Sequence, residues 1–178
     1  MVTAHVFIAT SLDGFIARPD GDIAWLLRRD DPAEDHGYHD FIADKDLIVM
    51  GRGTYEAVAG FDPWPYDRPV VVLSRQLAGT VVPEALRGKV RFAAQTPRQL
   101  LEELAQQNVR RIYVDGGQLI QSFLREGLVS DMVITTVPVL LGAGRPLFGA
   151  VPHDIDWTLV ASRSFASGLV QSTYRRAP

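Results

Sequence analysis

Arg111-Ile112-Tyr113-Val114-Asp115-Gly116-Gly117-Gln118-Leu119-Ile120-Gln121-Ser122-Phe123-Leu124 reads as a strand that turns through two glycines directly into a helix. The residues from Arg111 to Val114 favour an extended chain, whereas Leu119, Ile120, Phe123 and Leu124 recur at helical spacing. Gly116 and Gly117 permit positive φ and let the backbone approach a ligand without a Cβ in the way. The helix that follows starts with unpaired N–H groups at the positive end of its dipole. Such a junction is the building unit of an α/β sheet and a seat for an anion such as phosphate. A lone Gly-Gly is more often a plain turn, so the remainder of the chain must decide.

Working outward, the same alternation recurs. Thr3 to Ala9, Asp46 to Met50, Pro69 to Leu73 and Lys89 to Ala93 are apolar enough to be strands buried on both faces. Between them, helices are expected from Ala33 to Lys45, from Thr54 to Ala59, and from the Thr96-Pro97 cap to about Gln107. After the Gln118 helix the pattern changes. Asp131 to Val137, Trp157 to Phe165 and Gly168 to Arg175 follow as strands without intervening helices, with a hairpin around Ala166-Ser167-Gly168, so the sheet is expected to finish antiparallel. The expected fold is therefore α/β, a three-layer sandwich around a mainly parallel central sheet with an antiparallel C-terminal edge. No linker or internal repeat divides residues 1–178, which are expected to form a single domain.

Composition narrows the function. No apolar run approaches the roughly 20 residues of a membrane helix. Met1 to Ile8 lacks a basic leader and reads as the first strand, which points to the cytoplasm. Zero cysteines exclude disulfides, thiolate nucleophiles and cysteine metal sites, and with them a zinc deaminase, which needs Cys-x-x-Cys. A net charge of −3, with 18 basic residues scattered along the chain, argues against nucleic acid and for a small-molecule partner.

Ligands of an open α/β sheet bind beyond the carboxyl ends of the parallel strands. Those ends carry Ala9-Thr10 with Asp13-Gly14, Gly51-Arg52-Gly53-Thr54, Leu73-Ser74-Arg75 and Asp115-Gly116-Gly117. Glycine turns, hydroxyls and arginines together suit a ligand with several phosphates, because backbone N–H groups hold a pyrophosphate and guanidinium groups clamp a phosphate bidentately. The Rossmann fingerprint is absent: Gly51-x-Gly53 has no third glycine at the required spacing.

The ordered set Ser11-Leu12-Asp13-Gly14-Phe15-Ile16-Ala17, Met50-Gly51-Arg52-Gly53-Thr54-Tyr55, Val72-Leu73-Ser74-Arg75, Val114-Asp115-Gly116-Gly117 and Pro138-Val139-Leu140-Leu141-Gly142-Ala143-Gly144-Arg145-Pro146-Leu147-Phe148 resembles the dihydrofolate-reductase-like superfamily. Its riboflavin-biosynthesis reductase branch, the RibD C-terminal domain type, is the nearest match. The resemblance implies a sheet of about eight strands, a homodimer, and NADPH-dependent hydride transfer in the cytoplasm. The implied substrate type is that of 5-amino-6-(5-phosphoribosylamino)uracil reduction. Carried onto matching positions, it makes Gly51, Arg52, Gly53 and Thr54 the grip on the adenosine side of NADPH. Leu73, Ser74 and Arg75 become the patch for the 2′-phosphate, and Asp115, Gly116, Gly117, Gln118 and Leu119 the pyrophosphate turn. Ala9, Thr10 and Gly14 form the strand end against which the nicotinamide lies.

Reduction also needs a proton source. Asp22, in Asp22-Ile23-Ala24-Trp25, resembles the proton-relaying carboxylate of dihydrofolate reductases, with Trp25 as a stacking surface for a flat heterocycle. Asp22 is equally placed for a helix cap. Asp13 is a second candidate, for orienting nicotinamide or substrate, although Asp-Gly is also a common turn pair. Arg28, Arg29 and Arg145 are candidates for a substrate phosphate. His36 and His39 read as a solvated helix face, His5 and His153 have no evident partners, and Trp64 reads as a packed loop plug. Two alternatives stand beside the reductase: a true dihydrofolate reductase, and a non-catalytic NADPH-binding sensor domain.

Overall fold

Alternate residues of the first strand go to opposite sides of one sheet: Ala4 and Val6 enter one apolar cluster, while Phe7 packs on the other. The computed structural model describes residues 1–29 and 31–177. Its elements are β1 (Thr3–Ser11), β2 (Phe15–Ala17), α1 (Ala24–Leu27), α2 (Tyr38–Ala43), β3 (Leu47–Gly51), α3 (Arg52–Val58), β4 (Val70–Leu73) and a 3₁₀ turn at Glu84–Leu86. There follow β5 (Val90–Ala93), α4 (Pro97–Gln106), β6 (Arg111–Asp115), α5 (Gly117–Arg125), β7 (Val129–Val137), β8 (Arg145–Pro146), β9 (Trp157–Ser164) and β10 (Val170–Arg176).

The main sheet has eight strands in the order β5-β4-β3-β6-β1-β7-β10-β9. Pairings from β5 through to β7 are parallel, and β10 joins β7 and β9 antiparallel. Helices α4 and α5 cover one face through Leu100, Leu104, Ile120 and Phe123, all fully buried. Helices α2 and α3 cover the other through Phe41, Ile42 and Tyr55, against Ile48, Met50, Val70 and Val72. Each such buried side chain contributes about 1.5–3 kcal/mol. The cap at Thr96 forms as its sequence requires: Thr96 Oγ1 accepts the Gln99 N–H at 3.3 Å, and Gln99 Oε1 accepts the Thr96 N–H at 3.0 Å. The hairpin turn also forms, with Gly168 at φ 86 and the Phe165 N–H donating to Leu169 O at 2.9 Å.

Four details depart from the sequence expectation. Strand β7 is parallel to β1, because α5 returns the chain as a crossover, so antiparallel pairing begins only at β10, which pairs with β7 and β9. The helix expected from Ala33 shortens to α2, since Glu34 is engaged elsewhere: it accepts the Ser167 N–H at 2.8 Å and the Ser167 hydroxyl at 2.6 Å. Gly37 then turns left-handed at φ 78 to start the helix. The turn-rich region after β1 contains β2, which pairs with β8 as a separate two-stranded sheet. His5, without an evident partner in sequence, is 2% exposed and hydrogen-bonds Asp131 Oδ2 at 2.8 Å and Thr3 Oγ1 at 2.8 Å.

Candidate functional site

Because β6 lies beside β3, with Met50 opposite Asp115, the glycine turns after these two strands face each other. Gly116 has φ 98, and a Cβ built on it would stand 2.5 Å from Thr54 Oγ1 and 3.8 Å from Gly51 N. A Cβ on Gly117 would meet Ile16 Cδ1 and Pro146 O, each at 2.9 Å. Gly51 in turn approaches Leu119, at 3.8 Å from its own Cβ position. Gly51, Thr54, Gly116, Gly117 and Leu119 are thus one cluster, and the two turns approach this closely because Gly116 and Gly117 lack side chains. The first helical bond from the turn is Ile120 N–H to Gly116 O at 2.9 Å, so the N–H groups of Gly117, Gln118 and Leu119 precede the helical ladder.

Gly51 is also opposite Leu73, so Arg52 and Ser74-Arg75 leave neighbouring strands side by side. Arg52 donates to Glu56 Oε1 at 2.8 Å, and Ser74 Oγ accepts the Leu77 N–H at 3.2 Å. Arg75 is exposed. On the other flank, Thr10 is 5% exposed at the end of β1, and Gly14, at φ 84, accepts the Leu147 N–H at 3.0 Å.

The three residues expected to do chemistry are occupied otherwise. The Asp13 carboxylate accepts the Ser11 hydroxyl at 2.6 Å and the N–H groups of Gly142 and Leu141 at 2.8 and 3.1 Å. The Ser11 bond foremost, then those amides, hold its pKa down at about 2, so it fastens the β1–β2 turn to the loop after β7 and carries no proton near neutrality. Asp22 is exposed, accepts the Ala24 N–H at 3.2 Å ahead of α1, and faces Arg18 Nε at 3.5 Å. Trp25 is 2% exposed and packs with Val137 and Leu169. The stacking surface expected of it is corrected to a core role, since burial of so large an apolar ring outweighs its exposure.

A different carboxyl stands at the centre. Asp115 ends β6 beside Gly116, partly buried, and burial pushes its pKa up to about 6 against the partial relief of the Gly116 N–H. Tyr38, Tyr66 and Tyr113 are close enough that burial first, and the Asp115 charge second, push each phenol up. Tyr113 is fixed by donating to Phe7 O at 3.0 Å, and its ring meets Phe41 edge-on at 5.2 Å. Sequence reasoning placed Asp115 only with the phosphate turn and missed the tyrosines. They come from α2, the loop before β4, and β6, and no local spacing links them.

Residues 3–171 match the family described as the RibD C-terminal domain. The chain belongs to the RibD C-terminal domain family. It is 34% identical over 176 residues to the uncharacterized protein YwjB of Bacillus subtilis, covering 97% of each chain. In three dimensions it superposes with a TM-score of 0.93 on a Shewanella sp. PV-4 protein provisionally assigned to riboflavin biosynthesis, at 38% identity, covering 99% of this chain and 100% of that one. A diaminohydroxyphosphoribosylaminopyrimidine deaminase/5-amino-6-(5-phosphoribosylamino)uracil reductase from Thermotoga maritima has the same fold, with a TM-score of 0.75 at 15% identity. That match covers 99% of this chain and 57% of the Thermotoga protein. The RibD C-terminal fold thus accounts for the whole eight-stranded sheet, including its antiparallel edge. Among the described residues no helix is long and apolar enough to cross a membrane.

Proposed function

We propose that the protein is an NADPH-dependent reductase that reduces a C=N or C=O bond of a small heterocyclic or sugar-bearing substrate, most like 5-amino-6-(5-phosphoribosylamino)uracil. The observation that carries this reading is the meeting of the Gly51–Thr54 and Gly116–Gly117 turns beside the partly buried Asp115 carboxyl. NADPH, when bound, supplies the hydride. In this reading Gly116, Gly117, Gln118 and Leu119 hold the pyrophosphate through backbone N–H groups, and Gly51, Gly53 and Thr54 form the opposing wall. Arg52, Leu73, Ser74 and Arg75 receive the adenosine 2′-phosphate. Ala9, Thr10 and Gly14 flank the nicotinamide.

The proton is assigned to Asp115 in place of Asp22. An acid whose pKa lies near the working pH balances occupancy of the protonated form against readiness to give the proton up. Asp22 is instead exposed, accepts the Ala24 N–H ahead of α1 and faces Arg18. Tyr38 and Tyr66 exclude water and stay neutral as donors to a polar ring. Asp13 keeps a positioning role, through the loop it fastens. Family membership supports the reaction type.

The same reading includes a homodimer. Strand β9 is exposed from Thr158 to Ser164, leaving Leu159 and Val160 about half exposed (54% and 50%). Beside it lies a groove of about 430 Å³ lined by Met132, Ile134, Phe148, Val151 and Trp157. An uncovered edge with apolar side chains is what a second copy buries.

One experiment tests the function. NADPH is titrated against tryptophan fluorescence, and its oxidation is then followed with the ribosylamino-pyrimidine phosphate and with dihydrofolate. Binding and turnover with the first substrate are expected. Absence of NADPH binding overturns the reading, and turnover of dihydrofolate alone moves it to dihydrofolate reduction.

A further inference from the structure

Strand β8 is only Arg145–Pro146, yet it touches both glycine turns. Gly144 sets its approach: a Cβ there would lie 2.4 Å from Ala17 O and 2.9 Å from Phe15 Cβ, so only glycine lets β8 press onto β2. Pro146 O then stands 2.9 Å from the Cβ position of Gly117, and Gln121 of α5 donates to that same carbonyl at 3.0 Å. One residue earlier, the Arg145 guanidinium reaches the other turn. Its Nη1 is 3.7 Å from the Cβ position of Gly53, and its Nη2 is 3.2 Å from that of Gly21.

The charge of Arg145 is uncommitted. Among the described residues it forms no ion pair, and its Nε–H makes one long contact, 3.4 Å, to Pro19 O. Arg52, by contrast, already faces Glu56. A fork of N–H donors above Gly53, on a strand whose next residue abuts Gly117, lies where a diphosphate seated on the outer rim of the two turns needs a counter-charge.

We propose that Arg145 holds the pyrophosphate of the nicotinamide cofactor from the β8 side, instead of a phosphate on the substrate. This rests on the NADPH reading above and adds a residue and a division of labour to it. Arg52 and Arg75 face the 2′-phosphate, which only NADPH carries, while Arg145 faces the group that NADPH and NADH share.

The test is direct titration of NADPH and NADH against the wild-type protein, Arg145→Gln and Arg145→Lys, at several salt concentrations, with thermal melts as a check on folding. Arg145→Gln is expected to weaken both cofactors by the same factor, about tenfold to a hundredfold, as for loss of a charge-assisted hydrogen bond. It should also flatten the salt dependence of binding, which mere loosening of the Pro19 contact would leave unchanged. Arg145→Lys should recover part of the affinity. Unchanged affinity for both cofactors, a loss confined to NADPH, an unchanged salt dependence, or a rise in substrate KM without a change in cofactor binding each overturns the proposal. Wild-type protein that binds neither cofactor overturns the parent reading itself, and is recognised before any variant is made.

Discussion

The hydroxyl oxygen of Thr54 lies 2.5 Å from where a Cβ on Gly116 would stand, so the turns after β3 and β6 close on each other and leave no room for a side chain. Gly116 also has φ 98, a conformation that L side chains rarely adopt. Gly116→Ala should therefore lower stability by about 1–3 kcal/mol and weaken NADPH binding at least tenfold. Thr54→Ala in the same chain removes the oxygen and should return part of that loss. Denaturant melts and NADPH titrations of the single and double variants check the coupling, and additive effects would show that the contact is not shared.

Asp115 as proton donor makes the rate fall as the solution becomes more alkaline. The acid must be protonated, so kcat/KM should be level below about pH 6 and drop tenfold per unit above it, following the pKa set by burial. Asp115→Asn should lose about 10²–10⁴ in rate together with that alkaline limb, whereas Asp22→Asn should change the rate by less than about threefold. On stability the Asp115 substitution acts in the opposite direction to its effect on rate. Folding raises this group from 3.8 to about 6, so its favourable contribution is complete below pH 3.8 and is lost as pH rises through 6. At pH 8, Asp115→Asn should be more stable than wild type by about 1–3 kcal/mol, with no gain at pH 3. A pH-rate profile and melts at the two pH values decide both.

Arg52 and Arg75 leave adjacent strands, and the proposed site puts between them the 2′-phosphate that distinguishes NADPH from NADH. Replacing either with alanine should weaken NADPH by about tenfold and NADH by less than about twofold. Equal losses for the two cofactors would remove the 2′-phosphate assignment.

The exposed β9 edge predicts a change of assembly. Leu159→Glu places a charge on a side chain that is 54% exposed in the single chain, so it should leave the melting temperature of the monomer nearly unchanged. Light scattering should report a dimer for wild type and a monomer for the variant. A monomeric wild type at tens of micromolar would remove the dimer from the reading.

Much of the architecture was written locally. Burial on both faces marks β1, β3 and β4 as apolar runs, the capping residues Thr96 and Gln99 start α4, and Gly116-Gly117 mark the junction of β6 with α5. Those signals depend on neighbours a few residues away, so sequence alone determined the α/β class, the family and the glycine turns. Tertiary structure decided which groups meet. Asp13 looked chemically available until the N–H groups of Leu141 and Gly142, 128 and 129 residues further along the chain, claimed its oxygens. Trp25 looked like a surface until Val137 and Leu169 closed over it. The carboxyl of Asp115 is pushed up only by burial in the folded chain, because desolvation is a property of the assembled site and has no sequence period.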